Sequence, residues 1–302
     1  MGSFIAAWTK VKRAFGFERS YNIILFFIFG GAMFGFCLAR LEYLSVGGIF
    51  QNRAAPGEWY VYQKGSGRIG ITLHLVTIVP GGILLVGQFL PFIRHRLIIY
   101  HRIEGYIYLT LFLVTMAGVG MIIPISFGGV LSTQLALVTL GIIVLVTAGM
   151  GYWNIRFRRD VKNHRKWMIR HGVMMGTIVT VRLYQITIAR VVTAITGFAD
   201  VWSCDKLRFM DSFYNMPISQ NYPACSFAPN GSAVVFADFK GTPEQIGASL
   251  SLGFGTATWM ALVTHVICVE TYFYWSERDT AIQEEVKPRH STPDSEKGKS
   301  TI

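Results

Sequence analysis

The sequence predicts an all-α integral membrane protein built as a bundle of about six transmembrane helices. Of its 302 residues, 52% are hydrophobic and only 15% are charged, whereas soluble domains carry about a quarter charged residues. The mean hydropathy is +0.41. The apolar residues form blocks of the length that a helix needs to cross hydrocarbon. These blocks cover residues 22–45, 69–92, 99–123, 130–153, 168–195 and 249–275.

Basic residues between the apolar blocks predict the orientation. The formal net charge is +11, and its Lys and Arg residues cluster in alternate connecting segments. The positive-inside rule places such segments in the cytoplasm. We therefore predict a cytoplasmic N-terminal segment (1–21), a six-helix membrane domain (22–275) and a disordered cytoplasmic tail (276–302). No motif for base recognition accompanies the positive charge, so we expect no nucleic-acid partner.

The long segment 196–248 falls on the opposite, outer side. It contains Cys204 and Cys225, a pair that forms a disulfide only in an oxidising compartment. Asn230 opens an N-glycosylation sequon, which is modified only on a lumenal or extracellular loop. Both features agree with the charge rule and predict a secretory-route endomembrane or the plasma membrane.

Ionisable residues inside the spans are energetically costly and therefore mark candidate functional positions. In the third span, His101 and Glu104 lie one helical turn apart and share a face. In the fifth span, His164 and His171 are seven residues apart, which also places them on one face. All four lie near the predicted cytoplasmic ends of their helices, where they form a candidate cofactor site.

Two further residues lie elsewhere in the spans. His74 shares a stripe of the second span with Gly81 and Gln88, an arrangement that fits either a cofactor or a helix-packing seam. Arg182 lies about fifteen positions into the fifth span, roughly 22 Å deep. A guanidinium at that depth needs a polar partner, and Glu42 is the predicted candidate for Arg182 or Arg190.

Bis-histidine ligation of haem b is the leading hypothesis, because it requires imidazoles from two helices beside small residues. His101 and His171 are the predicted iron ligands, and His74 and His164 are further candidates for the cofactor site. In layout the chain resembles the six-span transmembrane cytochromes b. It departs from their pattern because the fourth span contains no histidine to complete a second site.

Two other functions remain open. The chain is alternatively a membrane-bound enzyme, of the cyclase or isomerase type, that converts a lipophilic small molecule in biosynthesis. Glu104 or Glu42 would then be its general acid, with Arg182 a further catalytic candidate, and its aromatic residues could stabilise a carbocation. The third hypothesis is a carrier in which Arg182 binds an anionic substrate, or a scaffold without catalytic activity. The expected partners are the lipid bilayer and a lipophilic or anionic small molecule.

A series of motifs between residues 70 and 190 resembles the multi-span membrane family catalogued as domain of unknown function 2306. The resemblance implies a helical membrane bundle and names no reaction. The motifs are His74, Gly87-Gln88-Phe89, Arg94, His101-Arg102 with Gly105 and Tyr108, His164-Arg165 with Trp167 and Arg170, and Arg182.

Overall fold

The computed structural model describes residues 2–228 and 230–286 and is nearly all helical. Among these residues, six helices are long and apolar enough to cross a membrane, which confirms the predicted fold class. We number them spans 1 to 6. Their bounds are Ser20–Leu44, Gly65–Gln88, Ile98–Ile122, Leu131–Arg156, Val161–Ile195 and Pro243–Ile282.

Two of the spans are not uniform α-helices. Span 1 contains one π-helical stretch, Phe26–Gly30, and ends in a 3₁₀ turn, Leu41–Leu44. Span 5 consists of two α-helices, Val161–Met175 and Thr177–Ile195, which meet at Gly176. The first of these begins after Asp160, whose side chain accepts a 2.9 Å hydrogen bond from the Asn163 N–H, as N-terminal caps do.

The sixth helix corrects two predicted boundaries. It runs from Pro243 to Val286, so the predicted outer loop 196–248 is shorter and residues 276–286 are helical. Ion pairs extend the helix beyond its apolar part: Asp279 binds Arg19 and Glu277 binds Lys166. The predicted disordered tail otherwise falls on residues 287–302, which lie outside the described residues.

Spans 2 and 3 pack with their backbones in close contact. A β-carbon placed on Gly118 would lie 2.7 Å from the Gly70 carbonyl oxygen and 2.8 Å from the backbone nitrogen of His74. Thr115 lies one helical turn from Gly118, and Thr77 lies two turns from Gly70. Their hydroxyls form a 2.6 Å hydrogen bond. Small residues and hydroxyl pairs are what membrane helices use to associate.

A folded layer covers one end of the bundle, which we call the disulfide side; the opposite end is the basic side. The disulfide between Cys204 and Cys225 is present, with 5.4 Å between the Cα atoms, so the predicted pairing is confirmed. An antiparallel pair, β1 (Ala199–Ser203) and β2 (Ser232–Phe236), sets Trp202 opposite Ala233. The short helices of this side are Val46–Phe50, Gln51–Arg53, Glu58–Tyr62, Ser126–Gly129, Cys204–Tyr214, Ile218–Asn221 and Pro223–Phe227.

The basic side is simpler. Helix Gly2–Phe15 precedes span 1, and helix Pro91–Arg96 connects spans 2 and 3. The hydrophobic core of this half includes Leu85, Tyr108 and Phe112. Chain direction alternates through the six spans, so both described ends of the chain lie on this side. Which compartment it faces stays a prediction.

Candidate functional site

The predicted site residues divide into two groups at opposite ends of the bundle. His101, Glu104, His164 and His171 belong to the basic half, as predicted. Arg182 and His74 lie towards the disulfide side and are close enough to interact electrostatically. The second group is joined by residues that sequence reasoning missed.

His171 is fully buried and already hydrogen-bonded at both ring nitrogens. Its Nε2 lies 2.5 Å from the Tyr108 hydroxyl and its Nδ1 lies 3.1 Å from the Val144 carbonyl oxygen. A neutral imidazole satisfies both contacts by donating from Nδ1 and accepting at Nε2. Both ring nitrogens are thus hydrogen-bonded in this arrangement, and haem ligation by His171 stays a prediction.

The remaining histidines of the basic half differ in their partners. His164 Nδ1 lies 2.8 Å from the Gly151 carbonyl oxygen and so joins spans 4 and 5. His101 Nδ1 is buried and has no hydrogen-bond partner within residues 2–228 and 230–286. Haem binding at His101 stays a prediction.

Glu104 connects spans 2 and 3 on the basic side. Its Oε2 accepts a 2.6 Å hydrogen bond from Gln88, whose amide also donates to the His101 carbonyl oxygen at 3.2 Å. The carboxylate rests against Gly87, where a β-carbon would lie 2.7 Å from Oε1. These contacts are those of a helix-joining residue; its role as a general acid stays a prediction.

Arg182 lies in a polar and aromatic environment that differs from the predicted one. Its Nη1 donates a 2.9 Å hydrogen bond to Gln185. Its guanidinium carbon lies 5.6 Å from the ring centroids of both Phe127 and Phe254, within the range of a cation–π contact. These two rings stack on each other with centroids 4.0 Å apart.

The prediction that Glu42 pairs with Arg182 or Arg190 is wrong. Glu42 forms a 2.6 Å ion pair with Arg53 on the disulfide side. The final 3₁₀ turn of span 1 directs it towards the short helix Gln51–Arg53, a connection that hydropathy does not reveal.

Glu58 is a carboxyl group that interacts electrostatically with Arg182 without forming an ion pair with it. Arg40 and Tyr43 influence Arg182 more strongly. It belongs to the short helix Glu58–Tyr62, is only 6% exposed, and its Oε2 accepts a 3.0 Å hydrogen bond from the Phe127 N–H. Burial raises the pKa of Glu58, while the nearby positive charges of Lys206 and Arg182 oppose that rise. Removal from water favours the neutral form of a carboxyl group.

Phe127 is held in a strained conformation between Glu58 and span 6. Its φ of 47° and ψ of 54° are left-handed, which costs a non-glycine residue about 1–2 kcal/mol. Its carbonyl oxygen accepts a 2.8 Å hydrogen bond from Ser251. Gly128 and Gly129 follow with φ of 78° and 63°, values that glycine adopts without strain. Such strain is characteristic of functional sites.

A phenol and a hydroxyl extend the polar group. The Tyr62 hydroxyl lies 2.9 Å from Ser126 Oγ, which donates to the Ile122 carbonyl oxygen at 2.8 Å. Burial and the adjacent Glu58 raise the pKa of Tyr62. We call Glu58, Tyr62, Phe127, Arg182 and Phe254 the Glu58 site.

The disulfide layer closes this site from outside. Lys206 is buried, and its Nζ lies 3.5 Å above the ring of Trp202. The Trp202 Nε1–H donates a 2.9 Å hydrogen bond to Asp200. Gly57, at a φ of 82°, admits this pair, because a β-carbon there would lie 2.6 Å from Lys206 Cε. Burial lowers the pKa of Lys206, and Glu58 and Asp200 oppose that effect.

His74 borders the Glu58 site from span 2. Its Nδ1 is buried and lacks a hydrogen-bond partner in the described part of the chain. The sequence signal that marks Glu58 is one acidic residue in the aromatic stretch Glu58-Trp59-Tyr60-Val61-Tyr62. It is easily passed over, because short connections between spans are usually solvated.

The fold and the Glu58 site define a six-span helical membrane protein with a buried acid–arginine centre. Residues 71–203 match the family described as Predicted membrane protein (DUF2306), which confirms the resemblance predicted from the sequence. The match contains His74, Phe127 and Arg182. Glu58 and Phe254 lie outside it.

A curated relative comes from a fungus. Ava biosynthesis cluster protein G of Aspergillus versicolor is 23% identical over 314 residues, which cover 86% of this chain and 90% of that protein. No solved structure matches the chain. These comparisons do not show a similarity to cytochromes b.

Proposed function

We propose that this chain is a membrane-bound enzyme of small-molecule biosynthesis, which isomerises or cyclises a lipophilic substrate by proton transfer at the Glu58 site. The observation that carries the proposal is the buried carboxyl group of Glu58, placed near Arg182 and bonded to the strained backbone of Phe127. The name of the Aspergillus versicolor relative, a biosynthesis cluster protein, agrees with such a role.

Proton transfer is the chemistry that these side chains can supply. In the proposed reaction Glu58 donates its proton to the substrate oxygen through one carboxyl oxygen, while its other oxygen accepts a proton from the neighbouring carbon. The enol returns to a carbonyl compound by the reverse exchange at a different carbon, so the reaction has no net change in protons. Catalytic carboxyl groups are tuned for this by burial, which brings their pKa towards the working pH. The Ser126 hydroxyl donates to the Ile122 carbonyl oxygen, so the Tyr62 hydroxyl donates to Ser126, and this pair orients the phenol beside Glu58.

Arg182 selects the kind of intermediate. Its guanidinium carbon lies only 5.6 Å from the ring centroids of both Phe127 and Phe254, so a carbocation at these rings would meet like charge. A developing negative charge on a substrate oxygen is instead stabilised by a fixed cation in a site of low dielectric constant. We therefore propose an oxygen-bearing substrate, such as a ketone or an ester, that passes through an enol-like intermediate.

Access to this centre involves Phe127. Its ring fills the space between Arg182 and span 6, and its backbone is strained. Relaxation of about 1–2 kcal/mol of left-handed strain would offset part of the cost of moving the ring. The two glycines after Phe127 give the turn the freedom to rearrange.

The test is replacement of the chromosomal copy by a Glu58→Gln variant, followed by mass spectrometry of lipophilic metabolites. The amide keeps the shape of the side chain but cannot donate an acidic proton, so we expect the product to disappear and its precursor to accumulate. Glu42→Gln is the matched control, because it removes an acid of the same side that is one third exposed and paired with Arg53. An unchanged product level in the Glu58 variant, at normal protein abundance, would contradict the proposal.

A further inference from the structure

A pocket of about 620 Å³ opens on the basic side, away from the Glu58 site. This volume lies in the range of small-molecule sites, about 300–1,000 Å³. Three parts of the chain form it: the segment that leads into span 1, the first two turns of span 5 and the last turns of span 6. Residues from each part are Arg19, Lys162, Arg165, Ile169, Phe273 and Ser276.

Two of the pocket's cations are fixed by acidic residues of span 6. Arg19 pairs with Asp279 at 2.9 Å and also donates to Thr280 at 2.8 Å. Lys166 pairs with Glu277. These contacts hold the three walls together and leave little of either charge unbalanced.

The other two cations are not balanced in this way. Lys162 and Arg165 lie three residues apart on span 5, on the same helical face, and both line the pocket. Neither forms an ion pair with the residues that the structure describes. Glu18 also lines the pocket, and Glu277 is close enough to Lys162 to interact with it electrostatically. The four cations of the lining outnumber these two carboxylates, which leaves an excess of positive charge.

The inner wall of the pocket is apolar. Ile169 lies one turn below Arg165 on span 5, and Phe273 faces it from span 6. Tyr272 adds an aromatic ring whose hydroxyl donates to Asn22 at 3.3 Å. A ligand that fits these surfaces has an anionic group for the rim and a hydrocarbon chain for the wall.

We propose that this pocket binds the phosphate headgroup of an anionic amphiphile at Lys162 and Arg165, with its hydrocarbon chain against Ile169 and Phe273. The place of the pocket, at the first turns of span 5, is the level at which lipid headgroups lie. Basic pockets between membrane helices are established binding places for anionic headgroups. This site is separate from the Glu58 site and does not depend on the proposed reaction.

The test is native mass spectrometry of the full chain released from vesicles of phosphatidylcholine with a minority of phosphatidic acid. We expect the wild type to retain phosphatidic acid in preference to phosphatidylcholine. A Lys162→Gln/Arg165→Gln variant should bind it about thirtyfold more weakly, since each cation near the surface contributes to headgroup attraction. The charge-conserving Lys162→Arg/Arg165→Lys variant should keep the wild-type affinity and thus shows that loss is not caused by misfolding.

The matched control is Arg158→Gln/Arg159→Gln, which removes two cations from the same side outside the pocket. It should bind phosphatidic acid as the wild type does. Equal loss in the two glutamine variants would mean attraction by overall charge and would overturn the site. Displacement of phosphatidic acid by an equal concentration of inorganic phosphate would also overturn it, because the apolar wall would then contribute nothing.

Discussion

Glu58 reaches the interior because the short helix that carries it is anchored by its neighbours. Trp59 and Tyr62, on the same helix, are both buried in an aromatic cluster with Phe50. The carboxyl group is thereby removed from water and held against the Phe127 N–H. A single hydrogen bond to a backbone amide does not replace the hydration of a full charge, so burial determines the direction of the pKa shift.

The raised pKa of Glu58 predicts a pH dependence of stability. A group with a folded-state pKa above its unfolded value stabilises the fold at low pH, and that contribution is lost as pH rises through the folded pKa. Stability should therefore begin to fall above the ordinary value of 4.5, by at most about 1.4 kcal/mol per pH unit. Glu58→Gln removes this titration. The melting temperature of the variant should therefore rise relative to that of the wild type as pH increases.

The melting curves need a control variant at each pH. Glu42→Gln removes a carboxylate that is one third exposed and paired with Arg53, a contact of little energetic weight. It should follow the slope of the wild type. A constant difference between Glu58→Gln and the wild type across the pH range would contradict the raised pKa.

At the scale of helices, the contact of spans 2 and 3 predicts a position that accepts no side chain. Gly118→Ala would place a methyl group 2.7 Å from the Gly70 carbonyl oxygen. The helices must separate, which typically costs about 1–3 kcal/mol. Gly120→Ala is the matched control, since no atom lies within 4 Å of its β-carbon position. Thermal unfolding in detergent should show a lower melting temperature for Gly118→Ala alone.

The helices themselves were predictable because length and hydropathy decide whether a segment crosses a membrane. The residues at which the helices end were less predictable. Residues 276–286 are mostly polar and yet helical, because Asp279 and Glu277 bind cations of other elements. The disulfide followed from the pairing of two cysteines on one segment. Sequence patterns did not predict where the short connections between spans, such as the helix Glu58–Tyr62, lie in the folded protein.

The candidate site also contains residues that could be predicted from the sequence and residues that could not. Arg182 was identified because a deep cation is costly wherever its partners lie. Glu58 was not, because it belongs to no span and its burial depends on Phe127, Trp59 and the disulfide layer folding over it. His171 was identified as a candidate ligand, but its partners Tyr108 and Val144, which come from two other helices, were not predicted. Helical periodicity describes one helix at a time.

At the scale of the whole molecule, the two ends of the bundle differ in chemistry. The disulfide side carries the folded layer of segment 196–242 above the Glu58 site, and the basic side carries the cationic pocket. The proposed proton transfer and the proposed headgroup binding would therefore take place at opposite ends of the bundle. A lipophilic substrate could approach the Glu58 site from the membrane while the opposite end is held by anionic lipid.

The orientation of the molecule is testable through Asn230, whose sequon lies on the disulfide side and is exposed. The positive-inside rule predicts this side to be lumenal or extracellular, so a glycosidase should shift the electrophoretic mobility of the wild type. Asn230→Gln should abolish that shift. A cytoplasmic disulfide side would be indicated by a sequon introduced on the basic side becoming glycosylated instead.

The central claim is that burial holds the pKa of Glu58 above the ordinary value of 4.5, and infrared difference spectroscopy of the purified protein in lipid discs, recorded across a pH series, tests it directly. The wild type minus Glu58→Gln spectrum should retain the carbonyl absorption of a protonated carboxyl group, which shifts in heavy water, at pH values above 4.5. Loss of that absorption at or below pH 4.5, with carboxylate absorption in its place, would contradict the claim.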